Sequence, residues 1–531
     1  ALAWLRPLML PAEGRYAGVA GEMLRSGDWL TPRLDGLPYF HKPPLFYWVD
    51  AAAMALFGAN PWAARAAPLL GAWAAALALY FFVRRWWGER PARLALVALL
   101  AQPLFYVGGQ FANLDMLVAG CITLTIVLLA HAALSFERGQ RFRGALLAAW
   151  AAAALGVLAK GLIGVVIPAL VIGGWVIARR RWRTLAALLW LPAVLLFALL
   201  ALPWFLLMQQ RYPGFFDYFF VEQHFRRFAA SGFNNALPFW FYVVLLLLAS
   251  LPWLPWLRLQ LRRGRLGGER GELRLLMLIW VAAVVLFFSL PRSKLVGYIL
   301  PALPPLALLI GDGYESWREA RQAKAPDSCA LRRGWQLAAG CGVAISLAVI
   351  AIATLRPTRS NEEIAQLLRA QRMPGEPVYM LGDYHFDVPL LAGLTTPVAV
   401  VLDWSDPEIS RRDTWRKELA DAASFATPAR RGVLMQPDRL QPALCAGGAA
   451  WLIGSAKGPR EAPWLAGVPP LASVRGVGLW RLDVAAHAAI GCAVAAPDAA
   501  LPAAEQAGAV GEAARRPGVV AALHADGHGA R

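Results

Sequence analysis

Long apolar runs punctuated by short arginine-rich connections constrain this chain more than any other feature. The runs fall at roughly 62–83, 94–109, 113–135, 145–159, 162–178, 185–208, 239–256, 275–290, 299–311 and 335–354. A helix rising about 1.5 Å per residue needs about 20 apolar residues to cross a hydrocarbon layer of about 30 Å. Most of these runs approach that length. With 58% of 531 residues hydrophobic and 23 Trp, a soluble chain of this size could not hide its apolar surface. The expected fold is mainly α, a polytopic transmembrane helical bundle of about eleven spans. The opening ALAWLRPLML is half a span long, and its beginning is expected upstream.

A net charge of +18 would fit a nucleic-acid binder, but the placement of the basic residues argues for no nucleic acid. They cluster in alternate short loops: Arg84, Arg85, Arg90 and Arg93; Arg138, Arg141 and Arg143; Arg179, Arg180, Arg181 and Arg183; then 258–274 and 318–333. That is the pattern of cytoplasmic loops, whose cations also attract anionic membrane lipids. The opposite, extracytoplasmic side then receives 11–50, 110–115, Lys160, 209–238, 292–298 and everything after Arg356. Five cysteines show no CxxC and no metal-ligand spacing. Cys445 and Cys492 can pair if both face an oxidising compartment.

Composition divides the chain into a membrane domain at 1–354, an α/β domain at 355–484 and a tail at 485–531. In the second part the short apolar runs PVYML (377–381), PVAVVL (397–402), GVLMQ (432–436), AWLIG (450–454) and GLWRL (478–482) predict strands, and 361–371 predicts a helix. The tail, rich in Ala, Gly and Pro without apolar period, predicts disorder.

The segment 11–50, opening a loop region at 11–61, is the polar exception within the membrane part. Tyr16, Val19, Ala20, Met23 and Leu24 recur at helical spacing and Gly27 supplies a C-cap. Pro43-Pro44 holds Lys42 extended, and LFYWVDAAAMALFG begins a second helix rich in interfacial aromatics. The expectation is two surface-lying helices with charged residues held between them. The other unusual charges collect on the same side: Asp115 at the start of a span, Lys160 at a tight turn, Arg211, Glu222, His224, Arg226 and Arg227 in one loop, and Arg292 and Lys294 in another. Carboxylates among many cations beside apolar helices point to a phosphate-bearing lipid, its phosphate held by guanidinium and ammonium groups. Plainer readings stand beside this one. Arg15 and Glu22 can be an exposed pair on one helix, Lys160 and Lys294 can snorkel, and His224 can be a structural hydrogen bonder. Glu13 suits a helix N-terminus in any case. Asp115 has the least structural excuse.

The stretch AEGRYAGVAGEMLRSGDWLTPRLDGLPYFHKPPLFYW resembles the first outer loop of the GT-C membrane glycosyltransferases. Within them it is most similar to the bacterial protein-O-mannosyltransferase-like group that includes the aminoarabinose (4-amino-4-deoxy-L-arabinose) lipid A transferases. NLDM, AKG, RYPGFFDYFFVEQHFRRF with LPFWFY after it, and SKLVGYILPALPPLALL fit in the same order, so the likeness spans 4–311. It implies a GT-C bundle, here of about 11–13 spans, in a bacterial inner membrane. It also implies inverting transfer of a sugar from a polyprenyl-phosphate donor to an acceptor such as lipid A at the periplasmic face. By the same likeness Glu13 and Asp115 take the acidic, catalytic positions and Arg15 and Lys42 face the donor phosphate; Arg227 and Lys294, cations of the same outer side, are further candidates to hold it. His41 with His224 stands where relatives hold a divalent metal with a glutamate and a histidine. The chain departs from the pattern in two places: Ala12 replaces the first acid of an Asp-Glu pair, and His41 replaces the Glu before Lys-Pro. A missing acid matters for a hydroxyl acceptor, which needs a base, and not for a phosphate acceptor, which arrives ionised. Protein O-glycosyl transfer, a non-catalytic relative and a lipid or solute transporter remain the alternatives. A transporter would place charges at mid-membrane and show repeats, neither of which the sequence displays.

Overall fold

The computed structural model describes residues 2–226, 236–258, 267–322, 329–355, 360–483, 486 and 490–492. The polar segment folds first into α1 (Ala12–Ser26), a two-residue-strand hairpin of β1 (Arg33–Leu34) and β2 (Leu37–Pro38), and α2 (Leu45–Phe57). Helix α1 buries Tyr16, Val19, Ala20 and Met23 and ends at Gly27, whose φ of 69° lets its N–H reach the Met23 carbonyl. That left-handed cap is the one glycine tolerates without a Cβ penalty.

The membrane part continues with α3 (Ala66–Trp87), α4 (Glu89–Leu100), α5 (Leu114–Glu137), α6 (Arg143–Lys160), α7 (Ile163–Ala178), α8 (Leu191–Arg211), α9 (Gly268–Ser289), α10 (Leu303–Gln322) and α11 (Cys329–Leu355). Among the described residues seven helices are long and apolar enough to cross a membrane: 63–87, α5, α6, α8, α9, 296–319 and α11. This is a multi-pass membrane protein. Helix α7 is shorter, and three runs that read as continuous spans are broken, 185–208 among them between Leu188 and Leu191. The run 94–109 divides at Gln102, whose extended backbone precedes Pro103. The run 239–256 divides into Phe241–Ala249, Leu251–Trp253 and Leu254–Leu257, with Pro252 and Pro255 each in the first turn of a new piece. Proline withholds the N–H that would continue each helix. Residues 2–10 likewise form turns rather than a half span. Helices α3 and α5 touch backbone to backbone: a Cβ on Gly71 would lie 2.4 Å from the Met116 carbonyl oxygen, the close approach that small residues permit between membrane helices.

The arginine clusters share one face. Arg85 bonds Gln140, Arg138 bonds Glu269 and Arg181 bonds Glu137, tying the ends of α3, α5, α7 and α9. Because α5 reaches that face at Glu137 and α6 leaves it at Arg143, their other ends, Asp115 and Lys160, meet on the opposite face.

After α11 the chain forms α12 (Glu362–Gln371), β3 (Val378–Leu381), β4 (Ala399–Val401), α13 (Trp415–Ser424), β5 (Leu434–Met435), β6 (Ala450–Ser455), β7 (Ala472–Val474) and β8 (Val477–Leu482). Five of these strands are the five apolar runs of the sequence; β7 is additional. The order is β5-β4-β3-β6-β8-β7, with β3 parallel to both β4 and β6, and β8 antiparallel to β6 and β7. Cys445 and Cys492 form a disulfide, and Gln441 donates to the Ile490 carbonyl at 2.7 Å. Residues 490–492, expected to belong to a disordered tail, are therefore fastened to the sheet layer; 493–531 lie outside the described residues.

Candidate active site

Three groups of side chains build the face opposite the arginine clusters. The first centres on Glu13, which is wholly buried. Its two oxygens accept from Arg6 Nη1 (2.5 Å) and Nη2 (3.0 Å), from Arg65 Nε (2.8 Å) and Nη2 (2.8 Å), and from the backbone N–H of Met9 (2.9 Å) and Ala112 (2.7 Å). Burial alone would raise its pKa, but the Arg65 and Arg6 guanidiniums outweigh burial and hold it at about 2. Every lone pair is occupied and neither oxygen is open to solvent. Glu13 clamps the start of α1 to the segment before α5 and has no geometry for proton transfer. The further bonds of Arg65 to the carbonyls of Ala3, Arg6 and Pro7 complete the clamp.

The second group joins three segments far apart in the chain. Asn113 caps α5 by accepting from Asp115 N, which fixes Asp115 in the first turn. Its carboxylate pairs with the Lys160 ammonium at the end of α6, and that ammonium lies 4.2 Å from the centroid of the Tyr298 ring. Gly297 leaves room for the contact: a Cβ there would sit 2.1 Å from Asp115 Oδ2. The NLDM, AKG and SKLVGY segments thus meet at one charged pair.

The third group brings the sheet layer onto the loop. Glu418, on α13, pairs with Arg15 and accepts from the Tyr39 hydroxyl at 3.1 Å. Burial pushes its pKa up, but Arg15 and His41 win and hold it at about 2. The His41 ring stacks on Tyr39 with centroids 4.9 Å apart and meets the edge of Tyr218 at 5.7 Å. One turn along α13, Asp421 accepts from the Tyr218 hydroxyl at 3.3 Å and from Lys417 at 2.8 Å. Arg15 lies over the rings of Tyr16 and Phe386, and its Nε is buried without a partner among the described residues. Tyr16 joins the second and third groups: burial raises its phenol pKa, and Arg15, Glu418, Asp115 and Lys160 all act on it.

The family described as dolichyl-phosphate-mannose-protein mannosyltransferase matches residues 10–219. An undecaprenyl phosphate-alpha-4-amino-4-deoxy-L-arabinose arabinosyl transferase of Pseudomonas aeruginosa is 36% identical over 363 residues, covering 68% of this chain and 64% of that protein. The protein of the same name from Erwinia tasmaniensis is 33% identical over 371 residues, covering 68% of this chain and 66% of its own. The crystal structure of ArnT from Cupriavidus metallidurans bound to undecaprenyl phosphate superposes with a TM-score of 0.75 at 26% identity, covering 90% of this chain and 94% of that one. This chain belongs to the GT-C family, near the aminoarabinose transferases. In its alignments the GT-C chain spans just under two thirds of the length of these curated relatives.

In this GT-C chain the remaining candidates fall unevenly. Lys42 is half-buried between His41 and the start of α2. Lys294 is buried, its ammonium donating to the carbonyls of Leu237 (3.0 Å) and Pro291; it is spent on holding backbone rather than snorkelling. Arg15 and Glu22 do not pair with each other, since Arg15 goes to Glu418 and Glu22 accepts from Gly36 N at 2.8 Å. Arg227 lies outside the described residues, as does the side chain of His224 on the π-helical turn Asp217–Arg226. Among the described residues no three His, Cys, Asp or Glu side chains gather as a metal-binding set. Sequence reasoning missed Arg6, Arg65, Tyr298 and Glu418. Glu418 and Asp421, three apart in WRKELADAAS, do share a helix face, but that spacing also describes a solvated helix.

Proposed function

We propose that this protein transfers a sugar from a polyprenyl-phosphate donor to a phosphate group of an envelope glycolipid of the lipid A class. The transfer would take place at the periplasmic face of the inner membrane. The observation that carries the proposal is the meeting of Asp115, Lys160 and Tyr298, from three distant segments, beside the Arg15–Glu418 pair. The names of the relatives, and the undecaprenyl phosphate bound in the similar ArnT, support the donor class. The Cys445–Cys492 disulfide supports an oxidising compartment for the sheet layer, and the arginine-bonded opposite face supports a cytoplasmic one.

The chemistry balances without a proton. An acceptor phosphate oxygen attacks the anomeric carbon, the bond from that carbon to the donor phosphate oxygen breaks, and polyprenyl phosphate leaves as the dianion. The acceptor monoester becomes a diester, and the configuration at carbon inverts. The protein's work is then to align the two anions and stabilise the charge that moves onto the departing phosphate. Arg15 and Lys42 are the groups we assign to that phosphate. The Lys160 ammonium adds charge next to it, and Asp115 orients Lys160 and accepts from sugar hydroxyls.

The test is reconstitution in vesicles with undecaprenyl-phosphate-linked sugar and either lipid A or a serine-rich peptide, read by mass spectrometry. One sugar added to lipid A phosphate, lost on Lys42→Ala, is the expected result. Sugar on the peptide alone would move the acceptor to protein, and transfer to neither would end the reading.

A further inference from the structure

A second cleft, of about 340 Å³, opens in the sheet layer away from Asp115 and Lys160. Asn361, Asp383, His385, Phe386, Trp415 and Arg475 are among the residues that line it. Its position follows from topology. Strand β3 pairs in parallel with β4 on one side and β6 on the other, so the strand order reverses beside β3. Residues 383–386 form the loop leaving the carboxyl end of that strand. Crevices outside the carboxyl ends of parallel strands, at the point where the order reverses, are where open α/β sheets bind ligands. The volume lies at the small end of the range for such sites.

The wall holds an unspent donor. Asp387 is fully buried and accepts from Asn361 N (2.7 Å) and Asn361 Nδ2 (3.0 Å). The same amide nitrogen is 3.2 Å from His385 Nδ1. Because an amide NH₂ can only donate, Nδ1 must accept, and the neutral ring then carries its hydrogen on Nε2. His385 is 7% exposed, and its Nε2 has no partner among the described residues. Burying a donor in this way without a bond costs free energy that a ligand acceptor would recover. Around it stand the exposed Asp383 carboxylate, one oxygen of which accepts from Tyr384 N at 2.8 Å, and the Arg475 guanidinium, which bonds the Ser360 carbonyl at 3.0 Å. Trp415, half-buried, supplies ring surface.

We propose that this cleft binds a saccharide, and that it holds a sugar ring of the acceptor while the acceptor's phosphate reaches the Asp115–Lys160 centre. Sugar rings present apolar C–H faces and hydroxyls that both donate and accept. Flat aromatic surface beside a carboxylate, a guanidinium and an imidazole N–H answers both features. The cleft also touches the reaction machinery. Pro11, which also lines it, immediately precedes α1, and the Phe386 ring lies 5.9 Å from the Arg15 guanidinium carbon. A Cβ on Gly14 would fall 3.0 Å from the Asp387 nitrogen, so α1 and the cleft loop are packed against one another. The acceptor role rests on the transferase reading; the binding site does not.

The test is saturation-transfer NMR on the full chain in lipid nanodiscs. The probes are a β-1,6-linked glucosamine disaccharide without acyl chains or phosphates, inorganic phosphate, and undecaprenyl phosphate. The disaccharide should bind saturably without competing with undecaprenyl phosphate. Asp383→Asn and Arg475→Gln, both at solvent-exposed positions, should each weaken it by about tenfold while leaving undecaprenyl phosphate affinity and melting temperature intact. No disaccharide binding, binding indifferent to both substitutions, competition by undecaprenyl phosphate, or preference for inorganic phosphate would each overturn the proposal. Disaccharide binding that depends on both residues, in a protein that transfers nothing to lipid A, would leave the site standing and refute the transferase reading.

Discussion

Replacing Glu13 by Gln separates a structural clamp from a catalytic acid. The substitution keeps the shape of the side chain but removes its charge and turns one acceptor oxygen into an NH₂ donor. That donor would face guanidinium or backbone N–H groups, every one of which also donates. Arg6 and Arg65 would be left buried without their counter-charge, a loss of about 3–5 kcal/mol for a broken buried pair. The carboxyl pKa leads to a similar figure independently: lowering it from 4.5 to about 2 is worth about 3 kcal/mol at neutral pH. The sign follows from the direction of the shift. A depressed carboxylate stabilises the fold fully above 4.5 and ceases to do so as pH falls towards 2. The purified protein should therefore melt markedly lower as Glu13→Gln at pH 7, and the gap between it and the parent should close as the pH is lowered through that window. Melting followed by tryptophan fluorescence, with donor binding measured on the fraction that remains folded, is the assay. A Glu13→Gln protein that melts like the parent yet loses all turnover would refute the clamp and restore Glu13 as a reacting group.

Asp115→Asn and Lys160→Met should each lower turnover by about 10²-fold or more. The double variant should be better folded than either single one, because no unpaired buried charge remains; parallel melting and turnover measurements decide it. Gly297→Ala should displace the Asp115 carboxylate, which a Cβ would approach to 2.1 Å, and cost about 10²-fold in turnover without removing any polar group; unchanged kinetics would contradict the packing. Glu418→Gln should raise the donor KM by about tenfold while kcat falls less, since it loosens Arg15 without touching Asp115. Reducing Cys445–Cys492 should destabilise the sheet layer by about 2–4 kcal/mol, seen as earlier proteolysis of that part with the membrane helices left intact.

Short-range features of this fold were legible in the sequence because their causes are local. The α1 apolar face and its Gly27 cap lie within one stretch of 16 residues, and the β3, β4, β5, β6 and β8 strands are each one apolar run bounded by polar residues. The breaks at Pro103, Pro252 and Pro255 were also readable, but total hydrophobicity masked them. What was hidden depends on distant partners. Nothing near Glu13 says that Arg65 will seal it, and nothing near Arg15 points to Glu418, 403 positions away. Asp115 and Lys160 drew attention individually because charge at the end of a span is costly. Their pairing, and the need for glycine at 297, exists only once α5, α6 and the 293–298 segment are brought together.

The acids of this face decide what kind of acceptor the site can serve. A general base needs a carboxylate with an open lone pair and a pKa not far below the working pH. Glu13 has six donors on two oxygens. Glu418 is held at about 2 between Arg15, His41 and the Tyr39 hydroxyl. Asp115 is paired with Lys160, and the position that would carry one more acid is Ala12. Each of these three acids is set to anchor a cation, and through those cations the site is built to hold anions. A hydroxyl nucleophile would have to surrender its proton to one of these occupied groups. A phosphate monoester brings an ionised oxygen and asks only for alignment and counter-charge, which Arg15, Lys42 and Lys160 can supply. Restoring the acid with Ala12→Asp discriminates between these cases. If the acceptor is a phosphate, the added carboxylate repels it and turnover on lipid A falls. If the acceptor is a hydroxyl, the new base raises turnover, and the pre-ionised nucleophile is the wrong account.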